Sequence, residues 1–239
     1  MMKDEEMHPV KRLDELPPAS VAEHLLNVLK AALATAPFCG GVASLITDYI
    51  PGQRVKRLEA FANQIGGDLE SLRGSVEVAR IHTDQYAFIF ERCFRGAADF
   101  PQQDKLEAFR GILVNSVLPN DLSQDEREYF LGLVERLSAV HLRILRFMAN
   151  PRSYLAAMAI AESRITGGFS TFFPVALPGV PLGVIQAAFA DLHACGFTDT
   201  SADIFVTMTA GQGLELLGDR LTVLGKRFVS FCQAPQTGR

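Results

Sequence analysis

Cysteine and histidine are the residue types in this sequence that could hold a metal ion or supply a nucleophile with its base. The chain contains 4 cysteines and 5 histidines, but they form neither a Cys-X-X-Cys pair nor a set at zinc-ligand spacing. No Gly-X-Ser-X-Gly sequence is present to expose a nucleophilic serine. The spacing therefore predicts buried, reduced thiols and no metal or cofactor. The cysteines are Cys39, Cys93, Cys195 and Cys232.

Histidines and paired carboxylates could also transfer protons. His141 and His193 lie in predicted helices, where a hydrogen-bonded interface histidine is favoured over a proton-transfer role. Asp125 and Glu126 stand at the start of a predicted helix, where the positive end of the helix dipole already accounts for two acidic residues. These observations favour a protein that is not an enzyme.

Two groups of basic residues could contact an anion, a nucleic acid or an acidic partner. The net charge is −4 at pH 7, so any such contact must be local, and the sequence has no Walker phosphate-binding loop. Solvated helix faces with ion pairs to Glu59 or Glu135 are the alternative interpretation. The six candidate residues are Arg54, Lys56, Arg57, Arg136, Arg143 and Arg146.

The helices that must position these residues carry apolar side chains at alternating intervals of three and four residues. The first such seam runs from Val55 to Ala79, and Gly66 and Gly67 are a possible break in it. A stripe of this length predicts either a core helix of a bundle or a coiled coil with a second chain. The candidate self-association residues are Leu58, Ile65, Leu69 and Leu72.

A second seam, from Phe130 to Phe147, predicts another long helix. Ser123 and Glu126 have the spacing of a capping box before this seam. Together with the first seam it predicts a helical bundle over residues 20–150, preceded by a flexible arm over residues 1–19.

Residues 151–239 differ in composition, because glycine and proline cluster near the start of this region. Residues 182–195 predict an amphipathic helix, 204–209 a short strand, and 221–232 a closing strand or helix. The fold class expected from this order is mainly α, a helical bundle with long heptad-patterned helices plus a small C-terminal winged-helix-like α+β module. In such a module the helix at residues 182–195 would be the one that enters the DNA major groove. It contains no lysine or arginine, which favours a protein contact over a DNA contact.

One apolar stretch, residues 31–47, bears on the location of the protein. It contains no charged side chain, but it is shorter than the roughly 20 residues of a spanning helix, and Pro37, Gly40 and Gly41 interrupt it. We therefore predict two buried helical pieces rather than a membrane span. The first residues do not resemble a secretory signal, so the expected location is the cytoplasm.

Four stretches carry a resemblance to a known type of protein. TDYIPGQRVKRLEAF, EREYFLGLVERLSAVHLRIL, DLHACGF and LTVLGKRFVSF resemble segments of uncharacterised bacterial helical proteins with a winged-helix-like C-terminal tail, nearest to the abortive-infection alpha type. The resemblance consists of apolar spacing and includes no catalytic residue. It implies a role in phage defence or in its regulation.

The sequence as a whole predicts a non-enzymatic protein-interaction or regulatory protein that associates with itself or with a protein partner, and the resemblance connects it with phage defence. A winged-helix DNA-binding regulator is one alternative, in which the basic residues contact phosphates. A membrane-active defence effector that releases residues 31–47 is the other.

Overall fold

The computed structural model describes residues 50–81, 83–207 and 213–235, and most of these residues are helical. The prediction of a mainly α protein is confirmed. The predictions for the arm (1–19) and for the apolar stretch (31–47) lie outside the described residues.

The chain divides into two compact units, Met1–Arg73 and Gly74–Arg239. Helix α1, Ile50–Ser71, belongs to the first unit. The α-helices described in the second unit are α2 Val78–Ile81, α3 Asp84–Asp99, α4 Gln103–Ser116, α5 Gln124–Arg136, α6 Ala139–Ala149, α7 Pro151–Ala157, α8 Phe169–Ala176, α9 Leu182–Ala194, α10 Leu214–Leu217 and α11 Val223–Cys232.

Helix α1 buries one face, which the first apolar seam forms. Leu58 and Ile65 on this face are buried. Gly66 and Gly67 lie within the helix and do not end it. The helix ends at Ser71, so the seam is shorter than the sequence pattern predicts.

Helix α4 is the centre of the second unit, because it packs against α3, α5, α6 and α11. Phe109 and Ile112 of α4 are fully buried. A Cβ atom at Gly96 of α3 would lie 2.3 Å from the Phe109 ring, and one at Gly111 would lie 2.2 Å from the carbonyl oxygen of Cys232. These glycines therefore let α3 and α11 approach α4 closely.

The prediction of one long helix over the second seam is wrong, because α5 and α6 meet at Leu137 and Ser138. The backbone N–H of Ser138 donates to His141 Nδ1 at 3.1 Å, which caps the new helix. The apolar spacing continues across this junction, so the pattern alone does not reveal the break. The predicted capping box of α5 is confirmed, since Ser123 and Glu126 each accept from the other's backbone N–H.

The prediction of a winged-helix-like α+β module is also wrong for the part of the C-terminal region that the structure describes, because it contains no strand. Within the predicted strand 204–209, Ile204 and Phe205 close a short 3-10 turn. The predicted closing element, 221–232, becomes helix α11 because its buried side chains recur at helical spacing.

Residues 74–150 of the predicted bundle (20–150) share the second unit with the predicted C-terminal domain, 151–239. Helix α9 packs on α6, and α11 packs on both α4 and α6. Aromatic rings join the two regions, since the ring centroids of Phe147 on α6 and Phe173 on α8 lie 5.4 Å apart. The division of the chain therefore falls at residue 73, and the fold continues across residue 151.

Candidate anion-binding cleft

A cleft of about 140 Å³ in the second unit is lined by side chains from α2, α3, α4 and α5. This volume is well below the roughly 300–1,000 Å³ of sites that hold drug-sized ligands, so the cleft suits a small ligand. Two of its described lining residues are arginines, and none is a carboxylate. The described lining residues are Arg80, Thr83, Gln85, Tyr86, Ile89, Ser116 and Arg127.

The first turn of α3 forms one wall of the cleft. Thr83 caps this helix, and its Oγ1 accepts a hydrogen bond from the Tyr86 backbone N–H at 3.2 Å. The cap places Gln85 and Tyr86 at the positive end of the α3 dipole, where an anion is favoured.

The two arginines of the cleft are held by groups around it. Arg80 Nε donates to a carboxylate oxygen of Glu77, and Arg80 Nη1 donates to the Leu118 carbonyl at 3.2 Å. Arg127 lies in the first turn of α5, and its Nη2 donates to Asn120 Oδ1 at 3.0 Å. These contacts fix both guanidinium groups before any ligand binds.

Two buried nitrogen atoms of the cleft residues have no hydrogen-bond partner in the described part of the protein. They are Arg127 Nε and Gln85 Nε2. Arg127 is only 9% exposed, so little of its side chain is in contact with bulk water. A buried donor without a partner costs about 1–3 kcal/mol of stability, and an acceptor bound in the cleft would remove that cost.

The electrostatic environment of Arg127 also favours an anion. Burial lowers the pKa of its guanidinium, repulsion from Arg80 lowers the pKa further, and Glu77 opposes both effects. Arg127 stands at the N-terminus of α5, where the helix dipole is itself positive. The folded protein thus holds a buried positive charge here, and Asp125 and Glu126 in the same turn offset part of the dipole.

The six basic residues predicted from the sequence do not line this cleft in its described part. Arg146 on α6 forms ion pairs with Asp104 at 3.1 Å and Glu107 at 2.6 Å. Burial raises the pKa of Asp104, and the charges of Arg146 and Arg143 oppose that rise. The charge of Arg146 is therefore shared with acidic side chains of the same unit.

The other predicted cations have different surroundings. Arg54, Lys56 and Arg57 lie on α1 of the first unit, where Lys56 is exposed. Arg136 Nη2, at the end of α5, donates to the Cys195 sulfur at 3.4 Å. Their contact with an anion or a nucleic acid stays a prediction.

The predicted self-association residues lie on α1 or directly after it. Leu58, Ile65 and Leu69 are buried, and Leu72 is partly buried. Association of two chains through these side chains stays a prediction, and it would have to share a face that is already covered.

Both histidines singled out in the sequence form hydrogen bonds within the second unit. His141 Nδ1 accepts from the Ser138 backbone N–H, so its neutral ring carries the proton on Nε2, which donates to Asp191 Oδ2 at 3.2 Å. His193 Nδ1 lies 3.0 Å from the Thr198 carbonyl oxygen and therefore donates to it.

The sequence contains one signal for the cleft beyond the predicted basic residues. Arg127 precedes Phe130, Leu131 and Val134 by three, four and seven residues, which places a cation on the apolar face of α5. A cation in that position needs an acceptor, either from a buried group of the protein or from a bound ligand. Gln85 and Ser116 give no comparable signal, because they meet Arg127 only in the folded chain.

Comparisons with protein families, with curated proteins and with solved structures find no match. The resemblance to the abortive-infection alpha type, and the role in phage defence that it implies, therefore stay predictions. The described residues include no group of three or more metal-ligating side chains that could hold an ion. No described helix combines the length and the apolar composition needed to cross a membrane.

Proposed function

We propose that this chain is a non-enzymatic regulatory protein that binds a small anion in the cleft between Arg80 and Arg127. The Nε of Arg127, which has no partner among the described residues, is the observation that carries the proposal. It is a charged, buried donor at a cleft that has room for a small ligand. The positive end of the α3 dipole at the same cleft adds to the attraction for an anion.

The size of the cleft and the hydrogen bonds around it support regulation rather than transport of a large ligand. Asn120, which accepts from Arg127, also donates to the carbonyl oxygens of Asn115 and Leu118. Asn115 in turn donates to carbonyl oxygens at the end of α11, including that of Phe231 at 2.9 Å. Hydrogen bonds thus connect the cleft to the last turn of the chain's final described helix, so occupancy can be communicated to a protein partner.

Thermal denaturation with and without anions tests this function. Binding to the folded state raises the free energy of unfolding by about 1.4 kcal/mol when the anion is present at ten times its dissociation constant. We expect phosphate, sulfate or acetate to stabilise the full chain relative to chloride at constant ionic strength.

Two variants separate the cleft from general salt effects. Arg127→Met should lose the anion-dependent stabilisation. Arg95→Gln should keep it, because Arg95 is an exposed residue of α3 that pairs only with Glu91 in the described contacts. Equal stabilisation of the two variants by the same anion would contradict a site in the cleft.

A further inference from the structure

The N–H groups around the cleft come from three different helices. Arg80 uses Nε and Nη1 in the contacts with Glu77 and Leu118, and Arg127 uses Nη2 in the contact with Asn120. A guanidinium has five N–H groups, so both arginines keep donors beyond these contacts. The amide of Gln85 adds donors from a third helix. An oxyanion with several acceptor oxygens can accept from donors on three helices at once.

The two hydroxyl groups of the cleft act as acceptors toward a ligand, because each already donates its hydrogen to a backbone carbonyl. Ser116 Oγ donates to the Ile112 carbonyl at 2.7 Å, and Thr83 Oγ1 donates to the Arg80 carbonyl at 2.7 Å. Each hydroxyl has one hydrogen and two lone pairs. To a ligand in the cleft, Ser116 and Thr83 therefore present acceptors and no donor.

We infer that the anion bound in this cleft is a phosphate that retains a proton. Its unprotonated oxygens accept from Arg80, Arg127 and Gln85, and its P–OH group donates to the acceptor oxygen of Ser116. Sulfate has no proton near neutral pH, so it would place an oxygen against the Ser116 hydroxyl without a hydrogen between them. This inference rests on the proposed anion-binding function and names its ligand class.

The same chemistry distinguishes two sources of phosphate. Inorganic phosphate keeps at least one proton throughout the neutral range. A phosphate monoester loses its last proton with a pKa of about 6, so at pH 8 it has no hydrogen for the Ser116 oxygen. A monoester should therefore bind at pH 5.5 and weaken at pH 8, whereas inorganic phosphate should bind at both.

Calorimetric titration of the full chain at constant ionic strength tests the inference, with inorganic phosphate, sulfate, acetate and glycerol phosphate as probes. We expect phosphate to bind at least about tenfold more tightly than sulfate or acetate, which is the range of one hydrogen bond to a charged group. Ser116→Ala should weaken phosphate about tenfold and leave sulfate unchanged. Arg95→Gln on α3 should leave every affinity unchanged.

The outcomes separate this inference from the proposed function. If sulfate or acetate binds as tightly as phosphate, or if glycerol phosphate binds equally at pH 5.5 and pH 8, the proton requirement is wrong and the anion site stands. If none of the four probes binds, both are wrong. Loss of glycerol phosphate binding between pH 5.5 and pH 8 supports the inference and adds monoesters to the ligands, while its absence at both pH values supports it for inorganic phosphate alone.

Discussion

The two ends of helix α5 each hold a buried cation, and the two cations have opposite surroundings. Lys105 reaches the C-terminal end from α4 and is 3% exposed, while Arg127 belongs to the N-terminal turn and is 9% exposed. A helix dipole favours a cation at its C-terminus and disfavours one at its N-terminus. The helix dipole therefore offsets part of the cost of burying Lys105 and adds to the cost of burying Arg127.

The hydrogen bonds of Lys105 and Arg127 differ as well. Lys105 Nζ donates to the carbonyl oxygens of Val134 at 2.7 Å and Glu135 at 2.9 Å, and it lies 3.9 Å from the centroid of the Phe100 ring. Arg127 has an Nε beside the cleft that finds no partner in the part of the chain that the structure describes. Burial of a cation is therefore not by itself a sign of function. What distinguishes the candidate site is a buried donor that the described protein leaves without an acceptor.

The largest effect that we expect is at the C-terminal end of α5. Lys105→Met removes both hydrogen bonds to the last carbonyl groups and should lower the free energy of unfolding by about 2–3 kcal/mol. Denaturant-induced unfolding at pH 7 would measure this loss. Lys226→Met is the matched control, because Lys226 is exposed and its ion pair with Asp219 should contribute less than about 1 kcal/mol. Equal losses in the two variants would show that the hydrogen bonds of Lys105 stabilise the fold no more than an exposed ion pair does.

The contribution of Lys105 to the free energy of unfolding should also depend on pH. Burial lowers the pKa of Lys105 from 10.5 to about 8, with the charge of Glu135 opposing the shift. Between these two values the unfolded chain holds a proton that the folded chain has released, so stability rises with pH in this window. We expect the difference in unfolding free energy between the native chain and Lys105→Met to grow from pH 8 to pH 10. A difference that shrinks over this range would contradict the assignment.

The sequence predicts the ends of the helices well where a local signal exists. Ser123 caps α5, as expected, and Thr83 caps α3 by similar local contacts, because each cap depends on residues within three positions of one another. The junction at Ser138 was missed because the apolar seam continues through it. The prediction of a strand at 204–209 is wrong for its described residues, because β-branched and aromatic residues also occur in short buried turns.

The cleft could not be predicted in the same way, because its residues meet only through tertiary packing. Arg80, Gln85, Ser116 and Arg127 come from four helices, and the packing of α3, α5 and α4 brings them together. The basic residues predicted as contacts lie close together along the chain, and such groups are typical of exposed helix faces. A single arginine among apolar positions is the better signal for a buried anion site, as Arg127 illustrates.

A carboxylate introduced into the cleft should take the place of the bound anion. Gln85→Glu keeps the size of the side chain and supplies acceptors to the arginines, so we expect the unfolding free energy to rise by about 1 kcal/mol in chloride buffer. The variant should no longer be stabilised by phosphate. Gln64→Glu on the exposed face of α1 is the control and should show neither change. A Gln85→Glu variant that is stabilised by phosphate as strongly as the native chain would exclude Gln85 from the site.

The smallest effect that we expect is the removal of Arg127 itself in the absence of a ligand. Arg127→Met gives up one hydrogen bond to Asn120, whose Oδ1 still accepts from the Leu122 backbone N–H at 3.2 Å. It also removes an incompletely partnered buried charge and its repulsion from Arg80, and exchanges of this kind are often close to neutral. We therefore expect an unfolding free energy within about 1 kcal/mol of the native value in chloride buffer, measured as for Lys105→Met. A loss as large as that of Lys105→Met would mean that Arg127 holds the fold together as Lys105 does, and the two ends of α5 would then differ in geometry but not in role.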